Sequence, residues 1–228
     1  MGKEFTKNIF VMLLAIMIGV IIITYFVGDI VNRSKIETLE GKITTVKIKS
    51  ENFTSYFLKS AVVLDQARED RAFGNYHFDL AFLWYQSALY EKNSSLMDLY
   101  KERGIDNCTN ALPNYYNSYL NFEEAKNYFN DTKLYSEEKH LSILNLYINL
   151  TDSGALLAML RYDASTYLNY LTENLTFDLE TNSVIFMENV TALLDLFNKT
   201  LSAYQQELKI YDNIQNDIDE YEFFDEIR

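Results

Sequence analysis

A stretch of 20 residues without a charge, from Ile9 to Gly28, constrains this chain more than any other feature. As an α-helix it would extend about 30 Å, which is the thickness of the hydrocarbon core of a bilayer. A cleaved signal peptide would have a shorter apolar core, of about 7–15 residues, and would end in a small-x-small cleavage site. This segment instead ends in Tyr25-Phe26-Val27-Gly28, followed by Asp29, and offers no such site. We therefore expect a single transmembrane helix over residues 9–28.

Nine Asn-x-Ser/Thr triplets follow the apolar segment. Random placement of the 21 Asn and 29 Ser or Thr residues would give about three such triplets, each a potential acceptor for an N-glycan. Seven of the nine end in Thr, although Thr and Ser are almost equally common in the chain. This excess predicts a heavily N-glycosylated protein. The acceptor asparagines are Asn32, Asn52, Asn93, Asn107, Asn130, Asn149, Asn174, Asn189 and Asn198.

The triplets also predict the orientation of the chain in the membrane. Basic residues are nearly balanced across the segment, with Lys3 and Lys7 before it and Arg33 and Lys35 after it, so the positive-inside rule does not decide. Glycans are added on the outer or luminal side, which places the N-terminus inside and the C-terminal part outside. The expected organisation is a cytoplasmic tail (1–8), a transmembrane helix (9–28), a stalk (29–42), a glycosylated outer domain (43–216) and an acidic C-terminal tail (217–228).

Charge and cysteine content narrow the class of protein. The whole chain has a formal net charge of −13, and nucleic-acid binding needs a basic surface instead. Cys108 is the only cysteine, so no intramolecular disulfide can form. Small secreted domains often rely on disulfides for stability. Its thiol is either shielded or available to bridge two chains. Dense glycan acceptors, an acidic composition and no internal disulfide together suggest an archaeal cell surface, with a eukaryotic luminal protein as the alternative.

Scarce turn residues predict an all-α outer domain. The chain has one proline and seven glycines, too few for the frequent turns of β or α/β architectures. We expect helices to end at Gly74, at Gly104 and at residues 152–154, and Pro113 to start a helix after a loop. Ser136 is the expected cap of the next helix. The predicted helical ranges are 43–73, 76–103, 113–134, 137–150 and 155–175, followed by a C-terminal helix, in an antiparallel bundle.

The C-terminal helix has the most regular apolar pattern. Its apolar residues alternate spacings of three and four over four heptads, which is typical of a packed helical seam. The seam fits the core of the bundle, and an intermolecular coiled coil that would make the protein a homo-oligomer is the alternative. Its residues are Met187, Val190, Leu194, Phe197, Leu201, Tyr204, Leu208 and Tyr211.

Two segments show the small and aromatic spacing of tetratricopeptide repeats. In the first, Ala81, Tyr85 and Ala88 follow Gly74-Asn75-Tyr76; in the second, Phe122, Ala125, Phe129 and Thr132 have a similar spacing. These segments resemble the second helices of tetratricopeptide hairpins. The resemblance implies an α-solenoid-like arrangement with a concave surface that binds a peptide or a partner protein.

Catalytic signatures are missing from the sequence. The two histidines are His77 and His140, and Glu137 with His140 is only half of a di-iron carboxylate motif. The acidic residues between Asp212 and Glu226 lack the glycine of a calcium-binding loop. We therefore predict no enzyme, no cofactor and no metal site.

These observations predict a membrane-anchored, N-glycosylated structural or protein-interaction component of a cell envelope. Its expected partners are the membrane and other envelope or membrane proteins. The alternative is a sensory or ligand-binding outer module that signals through a membrane partner, since helical bundles on stalks often serve receptors.

Glycosylation at most of the nine sites predicts a native mass well above the 26.7 kDa of the bare chain. Asn32 is the expected exception, because it lies only four residues after the predicted anchor. Intact mass spectrometry of protein from its native host measures this directly. A native mass equal to that of the bare chain would contradict both the glycosylation and the orientation.

Overall fold

The computed structural model describes the backbone of residues 2–221 and the side chains of residue 33 and residues 35–221. These residues confirm the helical prediction, with one β-hairpin as the exception. The predicted anchor, residues 9–28, falls where side chains are not described, so it stays a prediction, and residues 222–228 of the predicted tail lie outside the description. The elements are α1 (Gly2–Leu89), α2 (Ser94–Lys133), a 3-10 turn (Glu138–His140), α3 (Leu141–Glu173), β1 (Leu175–Asp178), β2 (Ser183–Phe186) and α4 (Thr191–Asp219).

The chain divides into two compact units, Met1–Glu51 and Asn52–Arg228. In the first unit, every side chain that the structure describes is exposed. The second unit holds the last part of α1 together with α2, α3, the hairpin and α4. Among the described side chains, all those that are buried belong to this second unit.

Neighbouring helices of the second unit run antiparallel. Among the residues that contact each other between two helices, the numbers rise along one helix and fall along the other. Contacts between α4 and α1 close the array, so it is an up-down four-helix bundle rather than an open solenoid. The polar contacts between neighbours are Ser118 Oγ to the Ala67 carbonyl (α2 to α1, 2.8 Å), Lys126 Nζ to Asp152 (α2 to α3, 2.6 Å), Ser153 Oγ to Glu207 (α3 to α4, 2.5 Å) and Arg68 Nε to the Tyr211 hydroxyl (α1 to α4, 3.0 Å).

Two arginines stack on aromatic rings between the helices. The Arg161 guanidinium on α3 lies 4.1 Å from the Tyr204 ring centre and 4.3 Å from that of Phe78. On α1, the Arg71 guanidinium lies 4.3 Å from the centre of the Tyr211 ring. The planar, weakly hydrated guanidinium suits such stacking. These contacts attach α4 to the other helices at two points one heptad apart.

The predicted helix ends at Gly74, Gly104 and residues 152–154 are wrong, because each of these glycines lies inside a helix. A Cβ atom at Gly74 would come within 2.7 Å of the Tyr115 ring, and one at Gly154 within 2.4 Å of the Phe122 ring. Both glycines are therefore required where an aromatic side chain of α2 contacts the backbone of a neighbouring helix. They serve packing rather than chain reversal.

Three further boundary predictions need correction. Residues 105–112 are helical rather than a loop, and Pro113 lies inside α2, where it supplies no backbone N–H to the helix. Ser136 does not cap α3, because its hydroxyl donates to the Lys133 carbonyl at the end of α2. The predicted helix 76–103 is interrupted near Asn93, whose side chain accepts a hydrogen bond from the Leu96 N–H and caps α2.

The β-hairpin was not predicted. Its antiparallel register pairs Leu175 with Phe186 and Phe177 with Val184, and all four pack on the bundle core. Lys101 Nζ of α2 donates to the carbonyls of Glu173 and Leu175, both at 2.7 Å, and so holds the start of the hairpin. The hairpin therefore closes one end of the apolar core.

Within the described part of the chain, residues 138–173 are long and apolar enough to cross a membrane, judged by length and composition alone. Half of that apolar stretch is buried inside the protein. A central helix of a bundle has the same properties, because it is covered by neighbours on several sides. The packing of α3 against α2 and α4 accounts for its composition.

Replacing Gly154 with Ala is expected to destabilise the fold, although Ala favours helices by about 1 kcal/mol over Gly. The added methyl group would meet the Phe122 ring, and overpacking costs about 1–3 kcal/mol. Gly41 is the matched control, because nothing lies within 4 Å of a Cβ there, so Gly41→Ala should leave stability unchanged or raise it. Denaturant unfolding of both variants measures the difference. A Gly154→Ala variant as stable as the wild type would contradict the packing described.

Candidate functional site

One face of α1 within the bundle is apolar and open to solvent. Its large apolar side chains are between 52% and 68% exposed. They are separated by three, four, seven or eleven residues, which brings them to one side of a helix. We call this surface the α1 face; its residues are Leu58, Val62, Glu69, Phe73, Tyr76 and Leu83.

The α1 face lies opposite the core side of the same helix. Leu64, Ala67 and Phe78 are buried against the other helices, so the orientation of α1 is fixed. Two shallow apolar depressions occur along the exposed side. One is lined by Glu69, Ala72, Phe73, Tyr76 and His77, and the other by Leu58, Lys59, Val62, Val63 and Tyr128.

The glycan acceptors are distributed unevenly around the bundle. No acceptor asparagine occurs between residues 53 and 92, the longest interval without one after the first acceptor. Within the bundle, α1 carries one acceptor, Asn52 at the start of the second unit, whereas every other helix carries at least one along its length or at its cap, and so do both flanks of the hairpin. The acceptors are Asn107 and Asn130 on α2 with Asn93 as its cap, Asn149 on α3, Asn174 and Asn189 beside the hairpin, and Asn198 on α4.

The eight acceptor asparagines whose side chains are described are all accessible to some degree. Asn52, Asn107 and Asn174 are half-buried, and the other five are exposed. Asn32 is placed in α1, and its side chain lies outside the description. The fold therefore leaves these asparagines at the surface, where a glycan can be accommodated.

The acceptor asparagines of the glycan sites differ in the hydrogen bonds that their side chains make. Asn93 and Asn189 accept backbone N–H groups through Oδ1, so a glycan attached to Nδ2 is compatible with these bonds. Asn107 and Asn174 instead donate from Nδ2 to the carbonyls four residues earlier, and Asn107 Oδ1 also lies 3.2 Å from His77 Nδ1. Asn107 thus lies beside His77, which lines one of the two depressions along the α1 face.

Acceptor sequences within helices place their Asn and Thr on opposite sides. Residues i and i+2 are about 200° apart around a helix, so an exposed Asn is followed by a Thr directed inward. Asn130 and Asn149 are exposed, whereas Thr132 and Thr151 are fully buried. The Thr132 hydroxyl donates to the Tyr128 carbonyl at 2.8 Å, which satisfies it inside the core. At these two sites the threonine also has a packing role.

The predicted seam of the C-terminal helix lies largely in the core. Val190, Phe197, Tyr204 and Tyr211 are buried, and the three leucines between them are half-buried. Phe197 contacts Phe78 and Phe82 of α1. Met187 precedes α4 and is 59% exposed. The seam is occupied by the protein's own helices, as the bundle interpretation expects.

The residues considered for chemistry are dispersed. Among the described residues, no three His, Cys, Asp or Glu side chains come close enough to hold a metal ion. His77 lies beside Asn107 of α2, whereas the His140 ring lies 5.9 Å from the Phe53 ring, measured between their centres. Cys108 is fully buried, and burial, with a smaller contribution from the charge of Glu173, raises the pKa of its thiol to about 12. This thiol is shielded, which disfavours its interpretation as a bridge between chains.

Sequence reasoning missed the α1 face. Phe73, Tyr76, Leu80 and Leu83 repeat at spacings of three and four, and this pattern was visible in the sequence. The helix end wrongly predicted at Gly74 divided it between two elements. The segments that resemble tetratricopeptide helices lie instead in the long helices α1 and α2, where their small and aromatic residues are buried.

Comparisons with models of protein families, with curated proteins and with solved structures gave no match to this chain. The candidate surface is therefore interpreted from its own geometry and composition.

Two substitutions at Thr132 separate its roles in glycosylation and in packing. Thr132→Val keeps the shape of the side chain but destroys the acceptor sequence, whereas Thr132→Ser keeps the sequence and removes a buried methyl group. We expect the glycan at Asn130 to be lost in the first variant and kept in the second. The second should lose about 1 kcal/mol of stability from the missing methyl group. Glycopeptide mapping and unfolding curves measure both effects; equal occupancy in the two variants would contradict glycosylation at Asn130.

Proposed function

We propose that this chain is a single-pass membrane glycoprotein that acts at the cell surface, in an archaeal envelope, as a structural or protein-interaction component. Residues 9–28 cross the membrane in this proposal, residues 1–8 lie inside, and the helical bundle lies outside. The uncharged segment and the excess of glycan acceptors support this arrangement.

The observation that carries the proposal is the open α1 face on a bundle whose other helices all carry glycan acceptors. Glycans are bulky and hydrophilic, so they cover the surfaces around them. Exposed apolar patches on soluble domains mark sites of interaction with other proteins. Phe73 and Tyr76 are 53% and 61% exposed, near the middle of the interval from residue 53 to residue 92 that contains no acceptor asparagine. The α1 face is thus the surface through which the bundle contacts its envelope partner.

A cysteine-labelling experiment tests both the orientation and the contact. The wild-type protein gives a low background because Cys108 is buried. Phe73→Cys places a thiol on the α1 face, and Leu120→Cys places one on the exposed side of α2, where Leu120 is 46% exposed. Both variants are treated with a membrane-impermeant maleimide, first on intact cells and then after purification in mild detergent.

We expect Leu120→Cys to react on intact cells, because the bundle is outside. Phe73→Cys should react several-fold more slowly on cells than after purification, because a partner covers the α1 face in the membrane. The contact would be contradicted if the ratio of the Phe73→Cys labelling rate to the Leu120→Cys labelling rate were the same on intact cells and after purification. If neither variant reacted until the membrane was permeabilised, the orientation would be wrong.

A further inference from the structure

A second apolar stripe lies on α1 before the bundle begins. Its four residues are separated by three, four and three positions, and each is between 54% and 67% exposed. All described side chains from residue 33 to residue 51 are exposed, so none of these described residues covers the stripe. We call it the exposed seam; it consists of Ile36, Leu39, Ile43 and Val46.

The exposed seam has the heptad spacing of a helix that packs against another helix. After a polar residue, Ser50, the same alternation of three and four continues in the sequence through Phe53, Phe57, Ser60, Leu64 and Ala67. In the second unit, four of these five positions pack in the bundle core, and Ser60 is fully buried. Ile36 and Ile43 at the first position of the heptad and Leu39 at the fourth match the pattern of a two-helix coiled coil. The seam thus has the sequence of a helix interface without its partner.

The charges beside the seam are unusual for this protein. Residues 33–51 contain five basic and three acidic residues, whereas the whole chain has a net charge of −13. In the heptad, Lys35, Lys42 and Lys49 flank one side of the seam, and Arg33, Glu40 and Lys47 flank the other. Lys47 and Glu51 are 3.9 Å apart and highly exposed, so this pair neutralises little of the positive charge. The apolar stripe is therefore bordered mainly by positive charge.

We propose that the exposed seam binds an amphipathic α-helix of another protein whose apolar heptad positions are flanked by Asp and Glu. Residues at these flanking positions select partner and orientation in coiled coils through their charges. An acidic helix would pair with the lysines on both sides of the seam. This contact is separate from the α1 face and does not depend on glycosylation or on the orientation in the membrane.

A second copy of the chain fits the seam less well. In a parallel pair, Lys35 would face Glu40 of the other copy, but Lys42 would face Lys47. In an antiparallel pair, the row formed by Lys35, Lys42 and Lys49 would face the same row of the other copy. Repulsion therefore opposes self-association in both orientations, and charge complementarity favours an acidic partner.

Two designed peptides provide the probe for the full-length protein in detergent micelles. Both have Ile and Leu at the apolar positions of three heptads; one has Glu at all flanking positions and the other has Lys. We expect the Glu peptide to bind at least tenfold more tightly than the Lys peptide in fluorescence anisotropy. Its affinity should fall as salt is added, because the flanking pairs are exposed. Equal affinities, or no binding of the Glu peptide, would overturn the proposal.

Matched variants assign the binding to the seam. Ile43→Asp places a charge in the seam and should weaken binding of the Glu peptide at least tenfold. Ile48 is also exposed, at 52%, but lies off the seam, so Ile48→Asp should leave binding within twofold of the wild type. Equal losses in the two variants would overturn the proposal. Concentration-dependent dimerisation that Ile43→Asp abolishes would also overturn it, since it would assign the seam to a second copy.

Discussion

Close approach of α1 and α2 is the constraint on which the rest of the bundle depends. Each helix has a small, fully buried residue at every seventh position. Ser118 Oγ of α2 donates directly to the Ala67 carbonyl of α1, and the Ala81 carbonyl lies 3.7 Å from where a Cβ of Gly104 would be. The same antiparallel register sets Gly74 opposite Ala111. The small residues are Ser60, Ala67, Gly74, Ala81 and Ala88 on α1, and Gly104, Ala111, Ser118, Ala125 and Thr132 on α2.

Large residues alternate with the small ones and determine where the other helices pack. Tyr115 and Phe122 lie one heptad apart on α2; the first contacts the backbone at Gly74 of α1 and the second contacts the backbone at Gly154 of α3. The helix α4 then covers the aromatic rings, and its Tyr204 and Tyr211 stack with Arg161 and Arg71. Burial of the Tyr115 hydroxyl raises its pKa, and this hydroxyl donates to Asn75 at 2.9 Å. Because its inner side is held in this way, α1 presents a fixed outer side to solvent.

The sequence predicted the fold class and part of the packing. Scarce Gly and Pro and the spacing of three and four indicated a helical bundle, and the burial of Phe197, Tyr204 and Tyr211 agrees with the seam expected on the last helix. The glycine positions led to wrong helix boundaries. In a single sequence, a buried glycine that packs against an aromatic ring cannot be distinguished from a glycine that ends a helix. The hairpin was missed because its strands have only four residues each. Its alternation of Leu175 and Phe177, then Val184 and Phe186, was the available signal.

The candidate surfaces were harder to predict than the core. An apolar stripe in a sequence does not show whether the protein's own helices cover it. The seam on α4 is covered, whereas the α1 face and the exposed seam of residues 36–46 are not. The α1 face is uncovered because the inner side of α1 suffices to bind α2 and α4, and the exposed seam is uncovered because it precedes the part of α1 that belongs to the bundle. The predictions of glycosylation, membrane anchoring and archaeal origin depend on sequence alone and stay predictions.

The close approach of α1 and α2 is tested most directly by enlarging one small residue between them. Ala67→Leu would insert three heavy atoms where the Ala67 carbonyl accepts the Ser118 hydroxyl, at a position that is fully buried. Ala72 is exposed on the same helix, so Ala72→Leu is the matched control. In denaturant unfolding we expect Ala67→Leu to lower the free energy of unfolding by about 1–3 kcal/mol. Ala72→Leu should change it by less than about 0.5 kcal/mol. An Ala67→Leu protein that unfolded at the wild-type denaturant concentration would contradict the account.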